Sequence, residues 1–178
     1  RRRLGDQLPL LQAAAGAALE AADLVVVTGG ASVGQRDYAK AMFAPFGLDC
    51  IFAKVAIKPG KPVWLARAGG KLVMGLPGNP TAALVTARLL LAPLIAGLGG
   101  ADPKLAMGWR GARLAGELGA CGDRETFLRA RSLAAGVSPL ADQDSSSQKT
   151  LALADLLIRR RPGDGAAAIG DGVEVLDL

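Results

Sequence analysis

Histidine is absent from this 178-residue sequence. Without an imidazole, a Ser-His-Asp triad, a Cys-His nucleophile and histidine metal ligands are excluded. Only two cysteines occur, Cys50 and Cys121, which are too few for a disulfide framework or a cysteine zinc site and favour a cytoplasmic location. Any catalysis must therefore rely on carboxylates, lysine, arginine, serine, backbone amides or a hard cation.

Aromatic residues and long apolar runs are also scarce. Phe, Trp and Tyr make up 4% of the chain, so a core has to be built from Ala, Val and Leu. Arg88 and Pro93 interrupt the most apolar stretch, 84–98, and no run reaches the ~18 residues of a membrane span. Hydrophobic residues still reach 51%, which is enough for a globular core, and we expect no membrane partner.

Charge is distributed unevenly along the chain. Residues 1–100 contain 11 Lys/Arg against 5 Asp/Glu, whereas residues 101–178 contain 10 against 11. The basic excess is spread out and lacks the clustered basic and aromatic side chains of a nucleic-acid interface. It favours small anionic ligands, and we expect no nucleic-acid partner.

Residues 1–100 predict an α/β domain with an open, mostly parallel sheet flanked by helices. A β-branched run bounded by glycines is typical of a buried parallel strand, and Ala/Leu-rich stretches are typical of helices. The predicted elements are helix 8–22, strand 23–28, helix 37–46, strand 50–57, strands 63–67 and 72–75, and helix 81–98.

A break in composition at 97–103 predicts the boundary of a second domain, 101–178. Its short apolar segments, 110–118, 126–133, 156–160 and 173–176, lie between Gly, Pro and Asp and predict a small all-β, barrel-like domain with one helix near 148–154. The run Arg159–Arg161 is interpreted as a solvated strand end. Since the chain opens on arginines, with 1–5 of uncertain origin, we expect further sequence upstream.

A glycine-rich loop follows the first predicted strand. Gly29, Gly30, Ser32 and Gly34 can turn backbone amides and a hydroxyl towards an anion, although an ordinary strand-to-helix turn has the same composition. Asp37 follows, where it could cap a helix or hold a divalent cation beside an anion, and spacing alone favours the cap.

Two further motifs are rich in proline and glycine. Lys54, Lys58 and Lys61 flank a rigid turn containing Pro59 and Gly60, which predicts an oxyanion site or, alternatively, an edge strand protected by lysines. The stretch 75–80 contains Gly78 and Asn79 before a helix. Asn79 suits a helix cap, and the exposed helix N-terminus suits an anion.

These motifs, in this order, resemble the MoeA family of molybdopterin molybdenumtransferases, which includes gephyrin-like proteins. The matching segments are Gly-Gly-x-Ser-x-Gly at 29–34 with Asp37-Tyr38 beyond it, Lys-Pro-Gly-Lys-Pro at 58–62, and Gly-Leu-Pro-Gly-Asn-Pro at 75–80. The resemblance is strong over 23–100 and weaker to residue 178, so it covers only the C-terminal portion of such an enzyme. It implies that the first strands of the α/β domain belong to sequence upstream of residue 1.

The resemblance implies roles for individual residues. Asp37, with Asp6, would handle Mg²⁺; Lys54, Lys58 and Lys61 would be active-site lysines. Molybdate would be bound from the C-terminal domain by Arg124 or Arg129 and by Ser145 or Ser146. One departure is Ala82, which stands where the family usually has serine.

The implied reaction is insertion of molybdenum from molybdate into adenylylated molybdopterin, with Mg²⁺ dependence and release of AMP. The implied assembly is a homodimer, with an adenylyltransferase as a further partner. Two alternatives stay open: a molybdopterin adenylyltransferase on the same α/β fold, and a non-catalytic molybdopterin-binding or scaffold module.

Overall fold

The computed structural model describes residues 5, 7–29, 38–144 and 147–178. The chain forms two compact units: residues 1–55 with 60–79, and residues 56–59 with 80–178. Contacts therefore divide the chain near residue 79, whereas composition predicts a boundary after residue 100. The domain division stays a prediction.

Most helices and strands occur close to their predicted positions, but the predicted strand 50–57 is wrong, because its residues fall in two strands, Asp49–Phe52 and Ile57–Lys58, of different sheets. The helices are α1 (Leu8–Ala21), α2 (Tyr38–Ala41), α3 (Pro80–Thr86), α4 (Ala92–Leu98), α5 (Pro103–Met107) and α6 (Gln148–Leu153), with a 3-10 turn at Ala44–Phe46 and a π-helical turn at Ala87–Leu91. The strands are β1 (Leu24–Thr28), β2 (Asp49–Phe52), β3 (Ile57–Lys58), β4 (Trp64–Ala68), β5 (Lys71–Leu76), β6 (Arg110–Arg113), β7 (Glu125–Leu133), β8 (Gly136–Pro139), β9 (Leu156–Arg160) and β10 (Gly172–Asp177).

The first unit contains a mixed four-stranded sheet in the order β1-β5-β4-β2. β1 and β5 are parallel, but β4 runs antiparallel to both β5 and β2. The expectation of a mostly parallel sheet is therefore wrong for the described strands. Gly69 and Gly70 both have positive φ and form a tight turn between β4 and β5, and a turn this short can only join antiparallel neighbours.

Trp64 lies at the centre of the first unit's core. It is 1% exposed and faces Gly75 directly across the β4–β5 pair. A β-carbon added to Gly75 would lie 2.0 Å from the indole Nε1 and Cε2 of Trp64, so the ring occupies the space of a missing side chain. Around this pair pack Ala15, Leu19, Ala39, Met42, Phe43, Ala66, Ala68 and Val73.

The second unit contains a six-stranded sheet in the order β3-β7-β9-β10-β6, with β8 also paired to β7. Only the short β3–β7 pair is parallel among these strand pairs. The core is formed by Leu114, Leu118, Ala130, Val137, Leu156, Ile158 and Val175. The unit is rich in strands but also contains α3 to α6.

The helical stretch Pro80–Leu98 runs through α3, the π-helical turn and α4. Among the described residues it alone has the length and mean hydropathy, 1.8, of a membrane span, a test that core helices of soluble proteins also pass. Arg88 lies in the π-helical turn and donates to the carbonyls of Asp177, Ala106 and Met107 at 2.7–3.1 Å. A cation therefore ties the middle of this stretch to α5 and β10.

Arg110 and Asp177 join the neighbouring strands β6 and β10. Arg110 Nη2 lies 2.7 Å from Asp177 Oδ1, and hydrogen bonding to this guanidinium lowers the pKa of the carboxyl below its usual value. A carboxyl with a depressed folded-state pKa contributes stability above its unfolded pKa and loses it as pH falls through the folded one. We expect Asp177→Asn to cost less than about 1 kcal/mol at pH 7, since the pair is exposed, and to cost less still at pH 2, where the carboxyl is more protonated. Urea unfolding of both proteins at the two pH values measures this. An equal cost at both would contradict it.

Candidate active site

The carboxyl ends of the parallel pair β1 and β5 bring two predicted glycines together. Gly29 follows β1 with a φ of +84°, and its N–H donates to the carbonyl of Leu76 at 3.3 Å. A β-carbon on Gly78 would lie 3.3 Å from Gly29 Cα. Backbone can approach a ligand closely here, as at other strand carboxyl ends where phosphates bind. Asn79 follows and directly precedes α3.

The lysine-rich turn is held by its own backbone. Val55 N–H donates to the carbonyl of Lys61 at 3.1 Å, and Gly60, with a φ of +117°, accepts from Val63 N–H at 3.1 Å. The three lysines are exposed. Lys54 and Lys61 belong to the first compact unit, whereas Lys58 and Pro59 belong to the second, because β3 pairs with β7.

Lys58 lines a cleft of about 620 Å³ within the second unit. Arg124 lines the same cleft, 66 positions later in the chain, together with Thr126, Ser138 and Gln143. The other walls are the glycine-rich segment 116–123, Leu128, residues 139–141 and Arg160. The structure thus brings together one predicted lysine and one predicted arginine from distant parts of the sequence.

The polar groups of this cleft suit a small oxyanion. Lys58 is exposed and Arg124 is partly exposed, and within the described part of the chain the Arg124 guanidinium makes a long contact of 3.9 Å to the exposed Asp123. Ammonium and guanidinium groups form the strongest hydrogen bonds that proteins offer to oxyanions. The hydroxyl of Thr126, in contrast, already donates its proton to the carbonyl of Arg124 at 3.1 Å. Glu117 and Asp123 partly offset this charge at the rim.

Arg129 is placed differently from Arg124. It is 2% exposed and donates to the carbonyls of Asp144 at 3.0 Å and Asp142 at 3.4 Å. Burial lowers the pKa of this guanidinium, and the charges of Asp142 and Asp144 oppose that effect. Arg129 does not line the cleft. Its role in molybdate binding stays a prediction, and its observed contacts are to a loop.

Arg160 is a residue that the sequence interpretation missed. The run Arg159–Arg161 was interpreted as a solvated strand end, yet Arg160 is 5% exposed. It donates to the carbonyls of Gly119 and Gly165 and contacts Asp164 at 3.4 Å. Gly119 lies in the cleft wall, so this buried cation holds part of the cleft. Strand alternation is the signal that could have found it, because Leu156, Ile158 and Arg160 share a face.

Several predicted site residues lie outside the described residues: Asp6, Gly30, Ser32, Gly34, Asp37, Ser145 and Ser146. Within the ranges 7–29, 38–144 and 147–178, no group of three or more Cys, Asp and Glu side chains is arranged to hold a metal ion. Ala82, at the family's usual serine position, is buried in α3, and its carbonyl accepts from Thr86 Oγ1 at 2.7 Å. That part of the expected oxyanion site therefore presents a methyl group.

Comparison with known proteins identifies the family. The sequence profile of the probable molybdopterin binding domain matches residues 1–97, more than half of the chain. The chain belongs to this molybdopterin-binding family. The glycine loops and the turn 58–62 lie within the matched range.

Relatives of the molybdopterin-binding domain with curated names support the assignment. The chain is 49% identical over 84 residues to a molybdopterin molybdenumtransferase of Haemophilus influenzae, covering 47% of this chain and 20% of that protein. It is 38% identical over 118 residues to the one of Nostoc, covering 62% and 26%. The solved structure of a molybdopterin biosynthesis MoeA protein from Pyrococcus horikoshii matches with a TM-score of 0.75 and 29% identity.

The Pyrococcus structure shares both units of the fold, because the match covers 94% of this chain. It covers only 40% of the Pyrococcus chain, and the chain spans about a fifth to a quarter of the length of the two curated relatives. The family and its place in molybdenum cofactor biosynthesis are therefore established by these matches. The enzymatic activity of the relatives belongs to proteins much longer than this chain, so for this chain it is a proposal.

Proposed function

We propose that this chain is the molybdate-binding and molybdopterin-binding portion of a molybdopterin molybdenumtransferase. The reaction transfers molybdenum from molybdate to adenylylated molybdopterin and releases AMP. One observation carries the proposal: Lys58 and Arg124 line one cleft in a chain of the molybdopterin-binding family. The curated names of the relatives support the reaction class.

The cleft would bind molybdate through charge. Molybdate is a compact dianion, and Lys58 and Arg124 would offer charged donors within one cavity of about 620 Å³. Ser138 would add a hydroxyl donor. The main contribution of these groups would be to position the anion and to neutralise its charge.

The phosphate groups of the pterin nucleotide would bind at the carboxyl ends of β1 and β5. Gly29 and Gly78 would let a phosphate approach the backbone closely there, because neither carries a β-carbon, and Gly30, Ser32, Gly34 and Asn79 would complete this cradle. Lys54 and Lys61, with Pro59 and Gly60 stiffening the turn, would provide further positive charge. Arg129, Ser145 and Ser146 would contribute to molybdate binding.

Release of AMP is a hydrolysis. A water oxygen forms the new bond to phosphorus, the phosphoanhydride bond breaks, AMP and the pterin phosphate form as two monoesters, and both protons of the water pass to solvent as these monoesters ionise fully. Asp37 and Asp6 would hold Mg²⁺, because hard carboxylate oxygens are its preferred protein ligands, and the ion would neutralise phosphate charge. The proposal also includes a homodimer, an adenylyltransferase partner, a cytoplasmic location and a separate small β domain formed by 101–178.

The test is an assay of AMP release from adenylylated molybdopterin by the full-length protein, with and without molybdate. We expect release to depend on molybdate. Lys58→Ala and Arg124→Gln should each raise the KM for molybdate about tenfold, since each removes one charge-assisted hydrogen bond worth about 1.5 kcal/mol. Arg67→Gln, an exposed substitution on β4, is the matched control and should leave the KM unchanged.

Three other results would each contradict the proposal. Formation of adenylylated molybdopterin from ATP and molybdopterin, without molybdenum insertion, would identify an adenylyltransferase. Binding of the pterin nucleotide without any AMP release would identify a scaffold module. An unchanged KM in both cleft variants would place molybdate elsewhere.

A further inference from the structure

The cleft that contains Lys58 and Arg124 is much larger than the anion proposed to bind there. Its volume is about 620 Å³. Molybdate has five heavy atoms and fills roughly 150 Å³, taking about 30 Å³ for each water-sized group. Cavities of ~300–1,000 Å³ are typical of sites for organic ligands. The cleft therefore has room for a second and larger group beside the anion.

The lining of the cleft is apolar as well as cationic. Leu128 of β7, Pro139 at the end of β8 and Leu140 line it, and each of the three is partly exposed. A hydrated inorganic anion gains nothing from this carbon surface, whereas a ring system that leaves water is stabilised by it. An apolar wall with a few charged groups is typical of a site for an organic anion.

The proposed reaction requires the pterin to reach the same cleft. Molybdopterin carries two enedithiol sulfurs on its ring system, and both bind the metal. Two Mo–S bonds form, one Mo–O bond breaks, and the two thiol protons leave with that oxygen as water, without a change in oxidation state. Sulfur and molybdenum must come within bonding distance for this exchange. The ring system must therefore lie next to the anion that Lys58 and Arg124 would hold.

We propose that the cleft binds the pterin ring system of the substrate beside molybdate, with the ring against Leu128, Pro139 and Leu140. This inference rests on the proposed function and deepens it, because it assigns a site to the ring system in addition to the phosphate groups. The adenine of the nucleotide is also a flat ring attached to an anion. The pterin is the occupant because its sulfurs, and not the adenine, have to meet the metal.

Two glycines in the cleft wall allow the ring site to be filled without a clash inside the protein. Gly119 and Gly122 line the cleft, and a β-carbon on either would meet no atom of the described residues within 4 Å. Neither has a positive φ, so their backbone conformation accepts a larger residue. Gly172 in β10 meets the same two conditions and does not line the cleft, which makes it the matched control.

The experiment measures binding of molybdopterin, AMP and molybdate separately to the full-length protein by calorimetry. The proteins are the wild type, Gly119→Leu, Gly122→Leu and the control Gly172→Leu, each shown to be folded by thermal unfolding. We expect the two cleft variants to raise the Kd for molybdopterin about tenfold or more, since extra carbon atoms in an occupied space typically weaken packing by this factor. Their Kd values for AMP and molybdate should stay unchanged, and Gly172→Leu should match the wild type with all three ligands.

Four results would overturn the inference alone, provided that the wild type releases AMP in a molybdate-dependent way. An unchanged Kd for molybdopterin in both cleft variants would place the ring system elsewhere. A raised Kd for AMP beside an unchanged one for molybdopterin would make adenine the occupant. Equal losses of molybdate and molybdopterin binding would contradict a ring site separate from the anion. An equal loss in Gly172→Leu would show that the cleft is not the origin of the effect.

Failure of the proposed function itself gives a different result. A wild-type protein without molybdate-dependent AMP release would overturn the proposed function and this inference with it.

Discussion

Replacing Gly75 with alanine is expected to destabilise the protein by about 3 kcal/mol, the upper end of the cost of overpacking a core by one methyl group. The new β-carbon would lie 2.0 Å from the Trp64 indole, where no real carbon is tolerated. The indole is 1% exposed and faces Gly75 directly across two strands, so it has little room to retreat. Urea unfolding of the variant and the wild type measures the difference.

Two further variants decide whether the Trp64 contact is the cause. Gly111→Ala is the matched control, because Gly111 also lies in a strand and a β-carbon there would meet nothing within 4 Å. It should change the free energy of unfolding by less than about 0.5 kcal/mol. In a Trp64→Leu background, Gly75→Ala should lose most of its cost. A full cost in that background would rule out the ring as its origin.

Replacing Arg160 with methionine should cost about 3 kcal/mol of the free energy of unfolding. The side chain is 5% exposed, and its removal leaves the carbonyls of Gly119 and Gly165 and the carboxylate of Asp164 without this donor. Removing one partner of a buried charged network typically costs 3–5 kcal/mol, and the partial exposure of Asp164 keeps the value at the lower end.

Arg161→Met is the neighbouring control for Arg160→Met. Arg161 is exposed and pairs at 2.8 Å with the partly exposed Glu174, and exposed pairs contribute about 0–1 kcal/mol. Denaturant unfolding monitored at the tryptophans reports both variants. Equal costs at the two positions would show that the buried contacts of Arg160 contribute nothing beyond an ordinary surface pair.

Local sequence signals predicted the elements of this fold well. The strand 156–160 was predicted to the residue, and the helix 8–22 to within one residue at its end, because apolar runs and breakers are local. The prediction of a mostly parallel sheet was wrong. Gly69 and Gly70 form a turn too short for a parallel connection, and this local signal is enough to predict that β4 and β5 are antiparallel.

The cleft was only partly predictable. The motifs identified Lys58 and Arg124 as candidates, and the structure places both in one cavity. Nothing local marks Gln143, whose contacts with Arg129 depend on where the loop after Pro139 folds back. Arg129 and Arg160 show that the charge of a side chain does not determine its exposure, because each has enough carbonyl partners to be buried.

Two neighbouring strands that line the cleft are held by very different numbers of backbone hydrogen bonds. β7, which carries Thr126, pairs along most of its length with β9 and β8, so its amide protons should exchange only when the sheet opens as a whole. β3, which carries Lys58, is joined to β7 at only two residue pairs, although the side chain of Ile57 is buried. The amide protons of β3 should therefore exchange faster than those of β7, and hydrogen exchange would report the two strands of the same cleft as separate units.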